Sequence, residues 1–329
     1  AYKGAVVVME PSTGKVLAMV SKPDFDPNDM ASQWEILNAD DSQSPLLNRA
    51  TQGLYPPGST FKILTTLEYL REFPNDYMNY TYDCQGSMSQ GDVTIKCYDY
   101  EVHGFEDLQG SFQHSCNTSF ANIGLQLDND KFAQMCESMM FNGKLPTVLP
   151  YSSSQFTLNR NSSTGETMQT AIGQGDTLVS PFHMALIVSA VANDGVLMTP
   201  YFVDHIENSD GIKVSDTKAI QYKKLMESDE AQILNEYMQS VVNGGTASSL
   251  SGMGYSVAGK TGSAEYEVNG NTGSEDNFST HSWFVGFSNV EDPDIVVSVI
   301  AEDGGTGSSA AVPIAREVFN AYYNYVKTY

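Results

Sequence analysis

Strand-like segments stand at both ends of this chain, and helical patterns fill the sequence between them. Residues 4–21 have the signature of a hairpin, two apolar stretches joined by a turn that contains Pro11 and Gly14. Three more strand-like segments occur towards the C-terminus, at 255–265, 283–288 and 295–301. Because isolated strands leave backbone groups unpaired and a lone hairpin is barely stable, both ends should meet in one sheet. We therefore expect an α/β fold in which a five-stranded antiparallel sheet is flanked by helices.

The middle of the chain has the periodicity of helices. We expect helices at 59–73, 107–127, 130–141 and 227–242, and one that starts at Pro181 and ends near Gly195. Polar connections are expected from the hairpin to about residue 50, over the serine-rich stretch 151–165, and over 266–281. A last helix, at about 310–326, should pack on one face of the sheet.

This order of elements predicts a single domain over residues 1–329 that has two parts. Residues from about 1–55 and 196–329 would form a subdomain around the sheet, and residues from about 56–195 a mostly helical subdomain. A cleft should lie between the two parts, and ligands usually bind at such junctions. At 41% hydrophobic residues, a chain of 329 residues can bury a core of the size this arrangement needs.

The charge of the chain excludes one class of partner. Lys and Arg number 17 against 40 Asp and Glu, and no basic stripe offsets the net charge of -23, so nucleic-acid binding is not expected. No apolar segment reaches the roughly 18 to 20 residues of a membrane span, and no signal-peptide pattern opens the chain. Strand-like residues begin almost at Ala1, which is typical of a fragment excised from a longer protein.

The four cysteines leave two interpretations open. Cys84 and Cys97 flank a short segment with a glycine, so that they could form a disulfide in an oxidising compartment. Two buried free thiols fit the sequence equally well. The cysteines contain no C-x-x-C pair and have no metal-ligand spacing with the five histidines, so neither a metal site nor a cofactor is expected.

A serine with a lysine three residues later opens one of the predicted helices. Residues i and i+3 of a helix share a face, which would place Ser59 Oγ within reach of Lys62 Nζ at the positive end of the helix dipole. Two other Ser-x-x-Lys sequences, at 12–15 and 215–218, fall in a turn and in a polar stretch. The segment after Ser59 is mostly apolar and would hold the lysine against a core, so only this serine has a candidate base that is desolvated.

Two further short motifs are expected at the walls of the cleft. Ser115 and Asn117, in a Ser-x-Asn sequence, lie within the predicted helix 107–127. Lys260, Thr261 and Gly262 come after apolar residues of a predicted strand, where a glycine often marks the close approach of another backbone or a ligand. Each of these two motifs is weak evidence by itself.

Taken together and in this order, the three motifs resemble the signature of penicillin-binding proteins and class A β-lactamases. Longer stretches are similar to the transpeptidase domains of class B penicillin-binding proteins, so that the resemblance covers essentially the whole chain. These stretches are 4–20, 48–52 (NRATQ), 55–62 (YPPGSTFK), 171–175 (AIGQG), 180–182 continuing to Pro200, and 260–265 (KTGSAE). The resemblance implies the fold shared by D,D-peptidases and β-lactamases.

The resemblance also implies how the acyl-enzyme would form. Ser59 would attack the carbonyl of the penultimate D-alanine of a peptidoglycan stem peptide and release the terminal D-alanine. Lys62 would be the base that takes the serine proton, which requires a neutral amine. Ser115 would relay a proton to the leaving amine, while Asn117 would hold Lys62 and the substrate amide.

The remaining motif residues would bind the substrate. Lys260 and Thr261 would receive its terminal carboxylate, and Gly262 would let it lie against the strand. The backbone N–H groups of Ser59 and Ser263 would form the oxyanion hole. Many relatives have threonine where this chain has Ser263; the hydroxyl is retained, so carboxylate recognition should survive.

Transpeptidation is the favoured reaction, with inhibition by β-lactam antibiotics. A β-lactamase or D,D-carboxypeptidase is the alternative enzyme, and a β-lactam sensor is the alternative without activity. The sequence around Glu166 does not match the Glu-x-x-Leu-Asn deacylation motif, and His103 and His281 are interpreted as structural. The resemblance further implies an extracytoplasmic domain anchored through an absent N-terminal segment, with other cell-wall synthesis proteins as partners.

Overall fold

The computed structural model describes residues 3–267 and 278–327. In chain order its strands are β1 (Gly4–Met9), β2 (Val16–Lys22), β3 (Thr81–Cys84), β4 (Ser87–Gln90), β5 (Val93–Lys96), β6 (Gly104–Asp107), β7 (Val196–Met198), β8 (His205–Glu207), β9 (Lys213–Asp216), β10 (Gln221–Lys224), β11 (Val257–Glu267), β12 (Phe278–Ser288) and β13 (Val296–Ala301). Its α-helices are α1 (Met30–Ala39), α2 (Lys62–Glu72), α3 (Leu108–Gln113), α4 (Asn117–Gly124), α5 (Asn129–Ser138), α6 (Thr164–Ala171), α7 (Pro181–Ala192), α8 (Ser228–Gly244) and α9 (Ala311–Ala321).

The two ends of the chain meet in one five-stranded sheet, which confirms the predicted α/β fold. The strand order is β11-β12-β13-β1-β2, and every neighbouring pair is antiparallel. The N-terminal hairpin joins the C-terminal strands where β1 pairs with β13, from Gly4 opposite Ala301 to Met9 opposite Val296. All six residues of β13 are buried, so both faces of the sheet are covered at its centre.

The hairpin of β11 and β12 is longer than its apolar pattern predicts. The pairing of the two strands continues through polar residues, with Glu265 opposite Thr280. The hydrogen bonds between strands are made by backbone groups, so polar residues can take part in them as well as apolar ones. The polar connection predicted for 266–281 is therefore partly strand, and its residues 268–277 lie outside the described residues.

Helices α7, α8 and α9 pack against this sheet. Every residue of α7 is buried, which explains why its sequence is apolar on all sides. The predicted start is confirmed: the Ser180 hydroxyl accepts the backbone N–H of His183, and Pro181 occupies the first turn. The terminal helix ends as an α-helix at Ala321 and continues as a π-helical turn over Tyr322–Val326.

The continuous helix predicted over 107–127 is wrong. Residues Gly104–Asp107 form strand β6, and the helical pattern is divided into α3 and α4 by a break at residues 114–116. Ser115 has a φ of 59°, which is outside helical geometry, and Cys116 is extended. The Ser-x-Asn motif thus lies at the break between α3 and α4, with Asn117 as the first residue of α4.

Several elements were not predicted. Helix α1 has no buried residue and therefore no apolar face for a pattern to indicate, and four two-stranded sheets (β3–β6, β4–β5, β7–β10 and β8–β9) have strands of only three or four residues. Helix α6 begins inside the expected loop 151–165 with a capping box, in which Ser163 and the exposed Glu166 exchange hydrogen bonds. Within the described ranges, no helix combines the length and apolarity that a membrane span requires.

Candidate active site

The turn that contains Ser59 leads directly into helix α2. Residues Gly58–Phe61 form a 3-10 turn, and the backbone N–H of Lys62 donates to the Ser59 carbonyl at its end. The predicted helical start is present, with its first turn tightened from α to 3-10 geometry. Ser59 is partly exposed, whereas Lys62, three residues later, is fully buried, so the candidate nucleophile is accessible and the candidate base is desolvated.

The Lys62 amine joins the first motif to the second. Its Nζ donates to the Ser115 carbonyl oxygen at 2.6 Å and to Asn117 Oδ1 at 2.7 Å, and lies 3.3 Å from Ser115 Oγ. The break at Ser115 makes this possible, because it turns a backbone carbonyl and a hydroxyl of the same residue towards α2. The ring of Phe120 covers the amine, with its centroid 5.2 Å from Nζ.

Lys260 of the third motif contacts the Ser115 hydroxyl from the side of the sheet. Lys260 on β11 is fully buried, and its Nζ donates to Ser115 Oγ at 2.8 Å and to the Thr261 carbonyl at 3.3 Å. Ser115 Oγ therefore lies between two lysine amines, one from the helical side and one from the sheet.

Burial perturbs both amines. Desolvation lowers the pKa of Lys62 to about 8, although the nearby Cys116, Cys97 and Glu106 act in the opposite direction. Desolvation also lowers the pKa of Lys260 well below its ordinary value, and the charge of Lys62 lowers it further. Because two ammonium groups beside one hydroxyl repel each other, the pair loses a proton more readily than either lysine would in water.

Strand β11 lies against the turn that contains Ser59. Gly58 has a φ of 53°, and a Cβ added there would stand 2.7 Å from the Ser263 carbonyl oxygen. A Cβ added at Gly262 would stand 3.0 Å from the Pro57 carbonyl oxygen. The close contact requires glycine on both sides, and it places the backbone of Ser263 next to the start of α2.

A residue that the sequence did not indicate stands beside this strand. Thr246 comes after the two glycines at the end of α8, and its hydroxyl is 2.5 Å from the Thr261 hydroxyl. Its position could not be read from a motif, because 15 residues separate the two threonines. Together with Lys260 they provide two hydroxyls and an amine, a set of groups that suits a carboxylate.

The two histidines considered in the sequence have other surroundings. His281 is buried in the sheet, where it stacks on Tyr266 at a ring distance of 4.3 Å and accepts the Asp303 N–H at 3.3 Å. The Nδ1 atom of His103 lies 3.3 Å from Cys84 Sγ. These contacts fit the structural interpretation of both histidines.

Known proteins resemble this chain over nearly its whole length. The family model described as penicillin binding protein transpeptidase domain matches residues 4–320. The peptidoglycan D,D-transpeptidase PbpA of Mycolicibacterium smegmatis is 33% identical over 335 residues, which cover 97% of this chain and 67% of that protein.

Solved structures agree with the family match. The D,D-transpeptidase domain of a peptidoglycan glycosyltransferase from Eggerthella lenta superposes with a TM-score of 0.87 at 31% identity, covering 99% of this chain and 79% of that one. Penicillin-binding protein A from M. tuberculosis, solved as its penicillin G acyl-enzyme complex, gives a TM-score of 0.85 at 29% identity and covers 98% and 75%. The fold and the sequence thus lead to the same group of proteins.

Proposed function

This chain belongs to the penicillin-binding protein transpeptidase domain family, and we propose that it is a serine-type D,D-transpeptidase. It cross-links peptidoglycan stem peptides through an acyl-enzyme on Ser59, and β-lactam antibiotics acylate the same serine. The observation that supports this most is the position of Ser115 Oγ between Lys62 and Lys260, because it provides a path for protons between the motifs.

Acylation begins when the Lys62 amine takes the Ser59 proton. A neutral lysine amine has two N–H groups and one lone pair. The two short hydrogen bonds, to the Ser115 carbonyl and to Asn117 Oδ1, use both N–H groups. The lone pair is then free to accept the proton of Ser59, one helical turn away, and the lowered pKa of Lys62 provides the neutral form near physiological pH.

Collapse of the tetrahedral intermediate requires a proton on the leaving nitrogen. Ser59 Oγ has bonded to the carbonyl carbon of the penultimate D-alanine, and the bond to the terminal D-alanine nitrogen must break. The Ser115 hydroxyl gives its proton to that nitrogen and is reprotonated by a lysine ammonium, with Lys62 at 3.3 Å and Lys260 at 2.8 Å. D-alanine leaves as a neutral amine, and the enzyme holds an ester on Ser59.

Substrate binding uses β11 and the neighbouring loop. Lys260 and Thr261, with Thr246 at hydrogen-bond distance from Thr261, would bind the terminal carboxylate. A bound carboxylate adds negative charge beside Lys260 and so favours its ammonium form. The backbone N–H groups of Ser59 and Ser263 would bind the oxyanion, whereas the missing side chain of Gly262 lets β11 pack against Pro57 and does not make room for the substrate. Such donors contribute about 3 kcal/mol each in acyl transfer.

Transfer to an amine is favoured over transfer to water. A class A β-lactamase needs a carboxylate that activates water, and the Glu166 side chain is used in the capping box of α6 on the surface. A D,D-carboxypeptidase or a β-lactam sensor would share the acylation site with a transpeptidase. These proteins differ in the fate of the acyl group, which therefore separates the alternatives.

The proposal is tested by measuring whether the acyl-enzyme transfers its acyl group to an amine or to water. The chain is incubated with a peptide or thioester donor ending in D-Ala-D-Ala or its analogue, with and without a D-amino acid acceptor, and the products are separated by liquid chromatography. The acceptor should be incorporated, and Ser59→Ala should abolish all product. Ser12→Ala, which changes an exposed serine of another Ser-x-x-Lys sequence, is the matched control and should retain activity. Hydrolysis that excess acceptor does not divert would refute the transpeptidase, and donor binding without turnover would indicate a sensor.

The proposal also predicts the surroundings of the domain. A stem-peptide substrate lies outside the cytoplasm, so the domain would act on the extracytoplasmic face of the membrane, held there by an anchor elsewhere in the full-length protein. Other cell-wall synthesis proteins would be its partners. Fractionation of cells that express the full-length protein, with protease protection of this domain then measured in intact spheroplasts, should give a membrane-bound and protease-accessible product.

A further inference from the structure

A cluster of sulfur and nitrogen atoms lies directly behind the candidate active site. The Sγ atoms of Cys84, Cys97 and Cys116 and a ring nitrogen of His103 all lie within 4.8 Å of one another. These residues come from the end of β3, the turn after β5, the segment before β6 and the residue before α4. Sequence spacing did not indicate a metal site, because the four residues come together only when the small strands have folded.

The distances in this cluster are those of a tetrahedron around one ion. Cys97 Sγ is 3.7 Å from Cys84 Sγ and 3.7 Å from Cys116 Sγ, and Cys84 Sγ is 3.3 Å from His103 Nδ1. Four ligands at the usual zinc distances, about 2.3 Å for sulfur, would place neighbouring sulfurs about 3.8 Å apart. A disulfide would require about 2.05 Å. Cys84 and Cys97 are free thiols, so the structure does not contain the disulfide that the sequence left open.

Donor groups around the sulfurs favour thiolates over a plain apolar packing of thiols. The backbone N–H of Gly86 points at Cys84 Sγ at 3.5 Å, and that of Ser119 points at Cys116 Sγ at 3.4 Å. The Thr118 hydroxyl donates to Cys84 Sγ at 3.2 Å. All three cysteines are buried, and negative charge on buried sulfurs is stable only beside such donors or a cation.

A carboxylate lies near the histidine nitrogen that faces away from the cysteines. The Nδ1 atom of His103 faces the cysteines, while Nε2 lies 3.6 Å from a carboxylate oxygen of Glu101, which is ion-pair and not hydrogen-bond distance. A carboxylate on this side favours the tautomer in which Nε2 carries the proton and Nδ1 is left to bind a metal. The His103 side chain is also nearly buried, with 7% of its surface exposed.

We propose that Cys84, Cys97, Cys116 and His103 bind one Zn²⁺ ion in a closed tetrahedral site. Binding converts three thiols to thiolates and releases their three protons to solvent, so that the site has a net charge of -1. Three sulfurs and one imidazole are a ligand set that zinc prefers, and four protein ligands leave no open position for a substrate. The ion is therefore structural.

Zinc would hold the second catalytic motif in place. Cys116 stands between Ser115 and Asn117, whose oxygens bind the Lys62 amine, and Ser115 has the strained φ of 59°. A metal bond to Cys116 fixes the residue on which both flanking positions depend, and so maintains the strained conformation. This consequence rests on the proposed acylation of Ser59, whereas the metal site does not.

Metal content tests the site without any activity assay. The domain is purified without added metal, dialysed, and analysed by elemental mass spectrometry. We expect about one zinc per chain, and near-complete loss of zinc in Cys97→Ser and His103→Gln. Cys136→Ser is the matched control, because Cys136 is a buried cysteine of the main core outside the cluster, and it should retain the zinc. Circular dichroism shows whether each variant is folded.

A second measurement on the unmodified chain covers the case in which a variant fails to fold. Cobalt exchanged into the domain should give the thiolate charge-transfer absorption of a tetrahedral sulfur site. A folded chain without zinc that gives no such spectrum, or one that contains a Cys84–Cys97 disulfide, would overturn the proposal.

Acylation then tests the positioning role. Removing zinc with a chelator should slow penicillin acylation of Ser59 about tenfold or more, and restoring zinc should recover the rate. Unchanged acylation after zinc removal would overturn the positioning role. Zinc bound to a chain that never acylates would instead refute the proposed function and leave the metal site standing.

Discussion

Replacing Ser115 by alanine should slow acylation of Ser59 about 10- to 150-fold. The hydroxyl accepts a hydrogen bond from Lys260 Nζ at 2.8 Å and lies 3.3 Å from Lys62 Nζ, and the substitution removes both contacts. A hydrogen bond to a charged group contributes about 1.5 to 3 kcal/mol, and each 1.4 kcal/mol corresponds to a factor of about ten in rate. Loss of one such bond at the transition state gives the stated range, and loss of the proton relay would move the result to its upper end.

The backbone should not change in this variant. Alanine and serine meet the same cost at the φ of 59°, and the Ser115 carbonyl that binds Lys62 at 2.6 Å is retained. The assay is the second-order rate constant for a fluorescent penicillin, measured beside the free energy of unfolding. Ser189→Ala is the control: this serine is buried in α7, and its hydroxyl has no hydrogen-bond partner among the described residues. A rate for Ser115→Ala within twofold of the unmodified chain would refute the relay.

The same kinds of contact predict three further outcomes. Acylation should become faster from about pH 6 to pH 9 with an apparent pKa near 8, because the neutral form of Lys62 increases as the pH rises through its lowered pKa; a flat rate profile would contradict this assignment of the base. Gly58→Ala should lower the free energy of unfolding by about 1 to 3 kcal/mol, because its Cβ would stand 2.7 Å from a carbonyl oxygen of β11; a denaturation midpoint equal to that of the unmodified chain would show that the strand is not so close. Arg49→Met should cost about 3 kcal/mol in chemical denaturation, because it removes the buried ion pair at 2.7 Å and leaves Glu302 with the Tyr55 hydroxyl and with Lys3 at 3.6 Å, whereas Arg160→Met, at an exposed ion pair, should cost less than about 1 kcal/mol; similar losses would argue against the buried pair.

The sheet could be predicted from sequence because each of its strands has an apolar run bounded by turn signals. The extensions of β11 beyond residue 265 and of β12 before residue 283 could not, since backbone pairing continues through polar residues such as Ser279 and Thr280. The small strands of residues 81–107 were also missed, because three or four residues are too few for an alternating pattern.

The motif residues could be found from sequence, but the arrangement around Ser115 could not. The apolar spacing of 107–127 is continuous, and nothing in it indicates a residue with positive φ. The amine of Lys62, 53 residues away in the chain, bonds the carbonyl that this conformation exposes. The grouping of three cysteines with His103 could not be predicted for the same reason, because contacts between segments that are distant in the sequence bring these residues together.

The acylated residue is the most direct test of the proposed function. The chain is incubated with benzylpenicillin, its intact mass is measured over time, and the modified peptide is sequenced by tandem mass spectrometry. We predict one antibiotic adduct per chain, located on Ser59 and lasting for hours, absent from Ser59→Ala and present in Ser12→Ala. A folded chain without an adduct, or an adduct that persists in Ser59→Ala, would contradict the assignment of Ser59 as the nucleophile.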